Sequence, residues 1–415
     1  MSGSFDKDIQ YYKFCLYGFL KNLRFYEPFL LLFLLNKLED NMFLAMSLYS
    51  IRYILRTALE IPSGVIADAL GRKGTMLFSY SLYLASFISY YLANSYYFLL
   101  IPTILFGIAD AFRTGTHKAM IIDYLNIKKW GDLKTEYYGR TRSWSQTGSA
   151  ISAIIAAALF ISTGNYNVIF LFTIIPYLIG FILLAGYPVE LNGKYNGKAS
   201  SLASIKSAII ESWKTLGNIR SLRILFSTSY YFGYHHAIKD LLQPIVQASV
   251  PLITLNIALQ HDQKTALILG VTYTIIYFIS ATASRKAGAV SKLFASPTKT
   301  IKTLGIIGVL FGMLIAISFQ SKNPILAILF FLPLFAVLNM QRPAVIDYVS
   351  VRHNKNVMAT VLSVESQLGS LTGAILALFL GALSNKFSIS VAVGIISLFS
   401  VLVFLINYPR KARIN

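Results

Sequence analysis

Long runs of hydrophobic residues recur along this chain and are separated by short polar segments. Each run has about 20 residues, which is the length that an α-helix needs to cross a membrane. The strands of a membrane β-barrel are shorter and alternate between apolar and polar residues. The pattern therefore predicts an all-α integral membrane protein with about twelve transmembrane helices. They are expected at residues 13–36, 42–67, 75–93, 97–124, 141–162, 167–187, 222–249, 265–284, 300–320, 324–349, 356–383 and 387–408.

The longest polar segment, residues 188–221, is rich in Gly, Ser and Lys and separates six predicted helices from six others. Short sequences recur on its two sides, since Ile122–Tyr124 returns as Ile346–Tyr348 and Ser145–Ser149 resembles Ser366–Ser370. Such repeats predict two pseudo-symmetric bundles. The predicted division is an N-terminal six-helix bundle at 1–187, a cytoplasmic linker at 188–221 and a C-terminal six-helix bundle at 222–415.

Composition agrees with a membrane protein, because 55% of the 415 residues are hydrophobic and only 13% are charged. Soluble domains carry about 25% charged residues. A net charge of +20 would suit nucleic-acid binding, but most Lys and Arg lie in the N-terminal segment, in alternate loops and in the C-terminal tail. This one-sided distribution predicts cytoplasmic termini and no nucleic-acid partner. We expect a multi-pass protein of the cell membrane, with the bacterial inner membrane as its location.

A short loop between the second and third predicted helices carries glycines and charged residues at fixed spacing. Its members are Gly64, Asp68, Gly71, Arg72, Lys73 and Met76. This spacing resembles the signature loop of the major facilitator superfamily, and the resemblance extends over nearly the whole chain. It implies two six-helix bundles that expose a central cavity to one side of the membrane at a time.

The resemblance also implies a gating role for charges at the cytoplasmic helix ends, where ion pairs break and reform during transport. The residues concerned are Gly64, Asp68, Gly71, Arg72, Lys73, Asp123, Arg285 and Asp347. Charges at these positions can equally act as topology signals, and the sequence leaves both interpretations open.

Charged residues inside the predicted helices are the main functional candidates, because a charge near the bilayer centre costs about 2.5–3.5 kcal/mol. They follow helical spacing, as Lys21, Arg24 and Glu27 do in the first helix, so they share faces. The expected substrate-binding residues are Arg24, Arg56, Arg113, Lys239, Arg342, His235, Tyr53 and Tyr277. The expected proton-coupling residues are Glu27, Asp110, Asp240 and His236. The open alternative is that neighbouring charges pair with one another and only hold helices together.

The adjacent histidines His235 and His236 fit more than one role. Neighbouring residues of a helix point about 100° apart, so the two rings cannot readily hold one metal ion, and we predict no metal site. Proton coupling, substrate binding and structural hydrogen bonding stay open for them. Their helix contains Pro244, which predicts a local break, as Pro28 does in the first helix.

These features predict a secondary active transporter that moves a small polar, anionic organic solute by alternating access, with proton-coupled uptake. A carboxylate, a phosphorylated compound or a polycarboxylate siderophore would suit the surplus of Arg and Lys. The alternative is a proton antiporter that exports drugs or metabolites, although Ala153 replaces the proline typical of the fifth helix in such exporters. A non-transporting sensor and a passive channel are further alternatives.

Other chemistry has no signature in the sequence. It contains no phosphate-binding loop, nucleophile elbow or dinucleotide fingerprint, so we predict neither an enzyme nor a cofactor. The expected partners are the small-molecule solute, protons and the lipid bilayer, and the protein is expected to act as a monomer.

Overall fold

A computed structural model of the chain describes residues 6–130, 133–192, 219–253, 257–294, 296–350 and 358–406. Within these ranges all regular secondary structure is helical, which confirms the predicted all-α fold class. Most of the predicted linker at 188–221 and the C-terminal tail from residue 407 lie outside the described residues.

The α-helices follow the order of the predicted membrane helices. They are α1 (Ile9–Leu20), α2 (Leu30–Lys37), α3 (Met42–Leu70), α4 (Arg72–Leu92), α5 (Tyr96–Arg113), α6 (Thr116–Ile127), α7 (Lys134–Thr163), α8 (Tyr166–Ala185), α9 (Ile219–Ile238), α10 (Leu242–Ser249), α11 (His261–Leu293), α12 (Pro297–Gln320), α13 (Pro324–Ser350), α14 (Met358–Lys386) and α15 (Ile389–Ile406). Short 3₁₀ helices lie at Glu27–Phe29, Val189–Asn192, Lys239–Leu241 and Val250–Leu252.

Eight segments of the described chain are long and apolar enough to cross a membrane. They are Tyr96–Ile127, Gly139–Thr163, Tyr166–Ala185, His261–Leu293, Pro297–Gln320, Pro324–Val349, Val361–Lys386 and Ile389–Ile406. The helix α3 is not among them, because Arg52 and Arg56 lower its hydropathy, and α1 and α2 are too short individually. The count of twelve helices and the cytoplasmic termini therefore stay predictions.

Three predicted helices are interrupted near their middle. The first breaks between α1 and α2, where Glu27–Phe29 forms a 3₁₀ turn that contains Pro28. The seventh breaks at Lys239–Leu241, just before Pro244, and both breaks were expected because proline removes a backbone N–H from the helix. The fourth breaks between α5 and α6 at Gly115, whose φ of +85° is open to glycine without steric cost. That third break was not expected.

The chain packs as two compact units. Unit 1 comprises Met1–Phe29 and Leu55–Glu211, and unit 2 comprises Leu30–Ile54 and Ser212–Asn415. This grouping rests on contacts along the whole chain and does not test the predicted division into membrane bundles and linker, which stays a prediction. Unit 2 therefore holds α2 and the first part of α3 against helices that come much later in the sequence.

Gln243 connects α2 to the later helices of unit 2. The first N–H groups of a helix have no partner inside it. The side-chain oxygen of Gln243 accepts the N–H groups of Leu31 and Leu32, at 2.8 and 3.3 Å. Gln243 is fully buried, and its amide nitrogen lies 3.4 Å from the hydroxyl of Tyr273. One side chain thus caps a helix that begins about 212 residues earlier in the chain.

Asn385 makes a similar contact at the start of α3. Its side-chain oxygen accepts the N–H of Met42 at 2.8 Å, and its amide donates to the side-chain oxygen of Asn41 at 2.7 Å. The same Asn41 oxygen accepts the N–H of Leu44 at 3.0 Å, which is the usual role of an N-cap residue. Two helix starts in the segment Leu30–Ile54 are therefore capped by side chains from elsewhere in unit 2.

In unit 1, α1 and α7 approach each other closely at two glycines. A Cβ atom on Gly18 would lie 2.8 Å from the hydroxyl oxygen of Ser145. A Cβ atom on Gly148 would lie 2.5 Å from the backbone oxygen of Phe19. Only glycine fits such a close approach, since real Cβ atoms do not come this near to backbone atoms. These contacts fix the spacing of α1 and α7, which both line the cavity described below.

We expect Gln243→Leu to lower the melting temperature of the detergent-purified protein. The substitution leaves two buried N–H groups without an acceptor, and each unsatisfied group costs about 1–3 kcal/mol. Differential scanning fluorimetry measures the shift. Gln247→Ala, one turn further along α10, is the matched control, because its side chain is only half-buried and makes no hydrogen bond to a described residue. Equal melting temperatures for the two variants would contradict the capping role.

We expect Gly148→Ala to destabilise unit 1, because the added methyl group forces α7 away from the backbone of α1. Overpacking of this kind costs about 1–3 kcal/mol. Gly139→Ala in the same helix is the control, since a Cβ there meets nothing within 4 Å and alanine favours the helix. Thermal unfolding of both variants in detergent provides the comparison. A Gly148→Ala variant as stable as Gly139→Ala would show that the helix contact is looser than described.

Candidate functional site

A cavity of about 230 Å³ lies within unit 1. Its wall is formed by α1 and the two residues after it, by α6 and by α7. The lining residues are Phe14, Tyr17, Gly18, Lys21, Asn22, His117, Ile121, Thr141, Arg142, Ser145, Gln146 and Ser149. No Asp or Glu is among them, so the Lys and Arg of this wall meet no acidic side chain inside the cavity.

Lys21 is placed by the end of α1. It is the first residue after the helix, and its backbone carbonyl accepts hydrogen bonds from Arg24 Nε at 3.3 Å and from the hydroxyl of Tyr177 at 3.2 Å. The Lys21 side chain is half-buried, and within the described residues its ammonium group has no hydrogen bond or ion pair. No acidic side chain of the cavity wall compensates the charge of Lys21, so an anion entering the cavity would supply a direct partner.

Aromatic rings form one side of the cavity. The Tyr17 ring stacks on His117, with ring centroids 3.7 Å apart and planes inclined by 16°. The Nε2 atom of His117 lies 3.3 Å from the hydroxyl of Tyr187. Phe14 meets the His117 ring edge to face at 5.5 Å. These contacts hold the imidazole in one orientation at the cavity wall.

Polar side chains of α7 form the opposite side. Thr141, Ser145 and Ser149 are spaced four residues apart, so they lie in a row along one face of the helix. Arg142 and Gln146 form a second row beside it, and both rows line the cavity. The wall therefore offers hydroxyl and amide groups next to a guanidinium.

Arg113 and Asp110, expected to bind substrate and to carry a proton, meet each other in unit 1. The side-chain oxygen Oδ1 of Asp110 lies 3.1 Å from Arg113 Nη2 and accepts a short hydrogen bond from the hydroxyl of Tyr83. Arg113 Nε donates to the same hydroxyl at 3.0 Å. Asp110 is 4% exposed, and neither residue lines the cavity. Their assigned roles stay predictions.

Other predicted cations are also found beside acids. Ion pairs join Arg24 to Glu27 at 3.8 Å, Lys239 to Asp240 at 2.9 Å, and Arg342 to Glu365 at 2.6 Å. Arg56 interacts electrostatically with Glu60, one turn along α3, while its buried Nε has no hydrogen-bond partner within the described chain. None of the eight residues predicted to bind substrate lines the cavity in unit 1.

The two histidines of α9 have different surroundings in unit 2. His235 is 2% exposed, and neither of its ring nitrogens has a hydrogen-bond partner within the described residues. His236 Nδ1 lies 3.0 Å from the backbone oxygen of Phe232, and its ring centroid is 5.7 Å from that of Tyr53. The Tyr277 ring instead packs 6.3 Å from Tyr273. The described residues contain no group of three or more His, Cys, Asp or Glu arranged for a metal ion.

The signature loop is assembled around Arg72. Its guanidinium donates to Asp68 Oδ1 at 3.0 and 2.9 Å and forms a short ion pair with Asp123. The side chain of Asn192 fills the space beside Gly71, which has a φ of +101°, and accepts the N–H of Lys73 at 2.9 Å. The structure therefore brings three predicted gating charges together. It also shows that Asn192 holds the loop, which the sequence did not reveal.

The remaining gating residues are less constrained. A Cβ on Gly64 would meet nothing within 4 Å. Arg285 and Asp347 are exposed on α11 and α13, and Arg285 forms no ion pair with a described residue. Among the described residues, the arrangement around Arg72 is thus not repeated around Arg285.

The sequence reasoning missed most of the residues that line the cavity. Helical spacing places Lys21 on one face with Arg24 and Glu27, and Ser145–Ser149 belongs to an internal repeat, but neither pattern indicates a substrate role. Arg142, Gln146 and His117 are likewise not indicated as binding residues. The sequence did contain a usable signal. Glu27 is the nearest acid on the face of Lys21, and it lies at pairing distance along the helix from Arg24 but not from Lys21.

Comparisons with known proteins identify the family. The family model described as Major Facilitator Superfamily matches residues 22–366. A search of curated proteins finds no match. Among solved structures, the nucleoside transporter NupG is similar with a TM-score of 0.75 and 12% identity, covering 97% of this chain and 100% of that one.

Two further structures have the same fold. A POT family transporter in complex with a thioalcohol-conjugated peptide has a TM-score of 0.74 and 14% identity, with coverage of 96% and 95%. The D-xylose-proton symporter has a TM-score of 0.70 and 14% identity, with coverage of 97% and 98%. These likenesses show the fold, and the family match over most of the chain confirms the resemblance seen in the signature loop. The chain belongs to the major facilitator superfamily, and it is a membrane transporter and not an enzyme.

Proposed function

We propose that this transporter moves a small polar, anionic organic solute across the cell membrane by alternating access. The observation that carries the proposal is the cavity in unit 1, where Lys21 and Arg142 line the wall and no acid does. A carboxylate, a phosphorylated compound or a polycarboxylate siderophore provides the complementary charge. A lysine acts as a compact positive charge and an arginine as a planar fork, and both suit carboxylate or phosphate oxygens.

Uptake is driven by protons in this proposal. The name of the D-xylose-proton symporter, which shares the fold, describes that kind of coupling for a relative. In this chain the acids Glu27 and Asp240 each pair with a neighbouring cation. Protonation of such an acid removes its charge and releases Arg24 or Lys239 from the pair. Asp110 and His236 are the other proton-coupling residues that we propose.

Gating is assigned to the charges around the signature loop. Arg72 holds Asp68 and Asp123 together, and an ion pair between parts of the same unit can break when the helices rearrange. We assign the protein to the bacterial inner membrane and to a monomeric state, with both termini cytoplasmic. The cytoplasmic termini are supported by the charge distribution along the chain.

We expect Lys21→Gln to weaken anion binding about tenfold, which corresponds to about 1.4 kcal/mol, because the variant lacks the cation that faces the cavity. The probes are succinate, citrate and phosphoenolpyruvate, with binding to the detergent-purified protein measured by calorimetry. Lys13→Gln, in α1, is the control, since Lys13 donates to the backbone oxygen of Gly186 and is outside the cavity. If a lipophilic cation such as tetraphenylphosphonium binds and no anion does, the proposed solute class is wrong.

We expect Glu27→Gln and Asp240→Asn to abolish accumulation driven by a pH gradient in proteoliposomes while exchange of internal for external solute continues. The amides cannot take up the coupling proton, yet they keep the shape of the site. Asp262→Asn is the control, because Asp262 is exposed at the start of α11. Normal accumulation in both variants would remove these acids as proton carriers. Solute efflux driven by the inward proton gradient would instead favour the antiporter.

A further inference from the structure

We propose that the cavity in unit 1 selects an oxygen-rich anion, such as a sugar acid or a phosphorylated sugar. The charged group of the solute lies against Lys21 and Arg142, and its hydroxyl groups lie along the polar rows of α7. This inference rests on the proposed function and narrows its solute class. It follows from the hydroxyl and amide groups that line the cavity in addition to the two cations.

The hydroxyl row is the first observation. Thr141, Ser145 and Ser149 repeat at every fourth residue of α7, and with a rise of 1.5 Å per residue the row is about 12 Å long. The amide of Gln146 lies beside it on the same wall. Ser149 donates its hydroxyl to the backbone oxygen of Ser145 at 3.3 Å, and Thr141 is buried. A solute that extends along α7 therefore meets polar groups in succession, chiefly at Ser145 and Gln146, in addition to the two cations of the wall.

The second observation is that part of this polar surface is available to a solute. Ser143, on the exposed side of α7, donates its hydroxyl to the backbone oxygen of Arg140 at 2.7 Å. Ser145 faces the cavity, and its hydroxyl donates to no acceptor in the described part of the chain. Each hydroxyl offers one donor and two acceptor positions, and an amide side chain offers both kinds of group. Ser145 and Gln146 can thus accept and donate hydrogen bonds to a solute.

The cavity wall has more polar than apolar side chains, which argues against a fatty acid as the solute. Phe14 and Ile121 are the purely apolar side chains of the cavity wall, and they lie on α1 and α6. A fatty acid with the same charge would place methylene groups against α7 and leave the Ser145 hydroxyl and the Gln146 amide without partners. A site built to bind hydroxyl groups rejects an analogue that lacks them far more strongly than it rejects a change of size.

Three probes separate charge from hydroxyl recognition. Gluconate carries one carboxylate and a hydroxylated chain, hexanoate has the same charge and carbon count without hydroxyls, and glucose has hydroxyls without charge. We expect gluconate to bind the full-length protein in detergent at least tenfold more tightly than hexanoate or glucose, as measured by calorimetry. Glucose phosphate, tested in parallel, distinguishes a phosphate from a carboxylate head group.

Substitutions in α7 test which side chains form hydrogen bonds with the hydroxyl groups of gluconate. Ser145→Ala and Gln146→Leu should each weaken gluconate binding several-fold and leave hexanoate binding unchanged. Thr147→Ala is the matched control, because Thr147 is exposed on the same helix and donates to the backbone oxygen of Ser143. A purely structural effect would instead lower the affinity for both acids and the melting temperature.

Different results overturn the two proposals. Hexanoate binding as tightly as gluconate, or α7 variants that leave gluconate binding intact, would overturn the hydroxyl inference and leave an anion transporter. Failure of both gluconate and glucose phosphate to bind, while succinate does, would have the same meaning. Glucose binding as tightly as gluconate would overturn the anionic solute itself.

Discussion

A charged side chain within a membrane protein needs an opposite charge, a hydrogen-bond partner or water, and this requirement organises much of the structure. Most of the charges that interrupt the hydrophobic runs meet it in pairs. Arg113 lies against Asp110 in unit 1, and Arg342 lies against Glu365 in unit 2. Lys21 lies in the cavity wall, and its ammonium group has no ion-pair or hydrogen-bond partner among the described residues.

Backbone groups obey the same requirement. Breaks in the helices leave N–H and carbonyl groups without intrahelical partners, and side chains from distant parts of the chain supply them. Gln243 caps the start of α2, and Asn385 adds to the cap of α3. At the end of α1 the carbonyl of Lys21 is bound by Tyr177. The same break that requires these contacts also places the lysine at the cavity wall, so local disruption and site formation have one cause.

In unit 1 the buried pair of Arg113 and Asp110 differs from the cavity wall in how its charges are compensated. Arg113 and Asp110 form an ion pair, and the hydroxyl of Tyr83 is hydrogen-bonded to both of them. The cavity wall is polar on α7 and aromatic at Tyr17, and its positive charge is not compensated within the cavity. The proposed function rests on this wall and not on the more numerous charges elsewhere, because most of those charges already lie in ion pairs.

The sequence by itself determined the helical class, the family and the charged positions Asp68 and Arg72 of the signature loop, because hydropathy and short-range spacing carry that information. It also indicated a break at Pro28, since proline acts on its own helix wherever it lies. Only the tertiary structure decided which charges pair and which face a cavity. An ion pair or an empty volume depends on how separate helices pack, and the spacing of residues within one helix does not contain that arrangement. Gln243 shows this most directly, because its partners lie about 212 residues away.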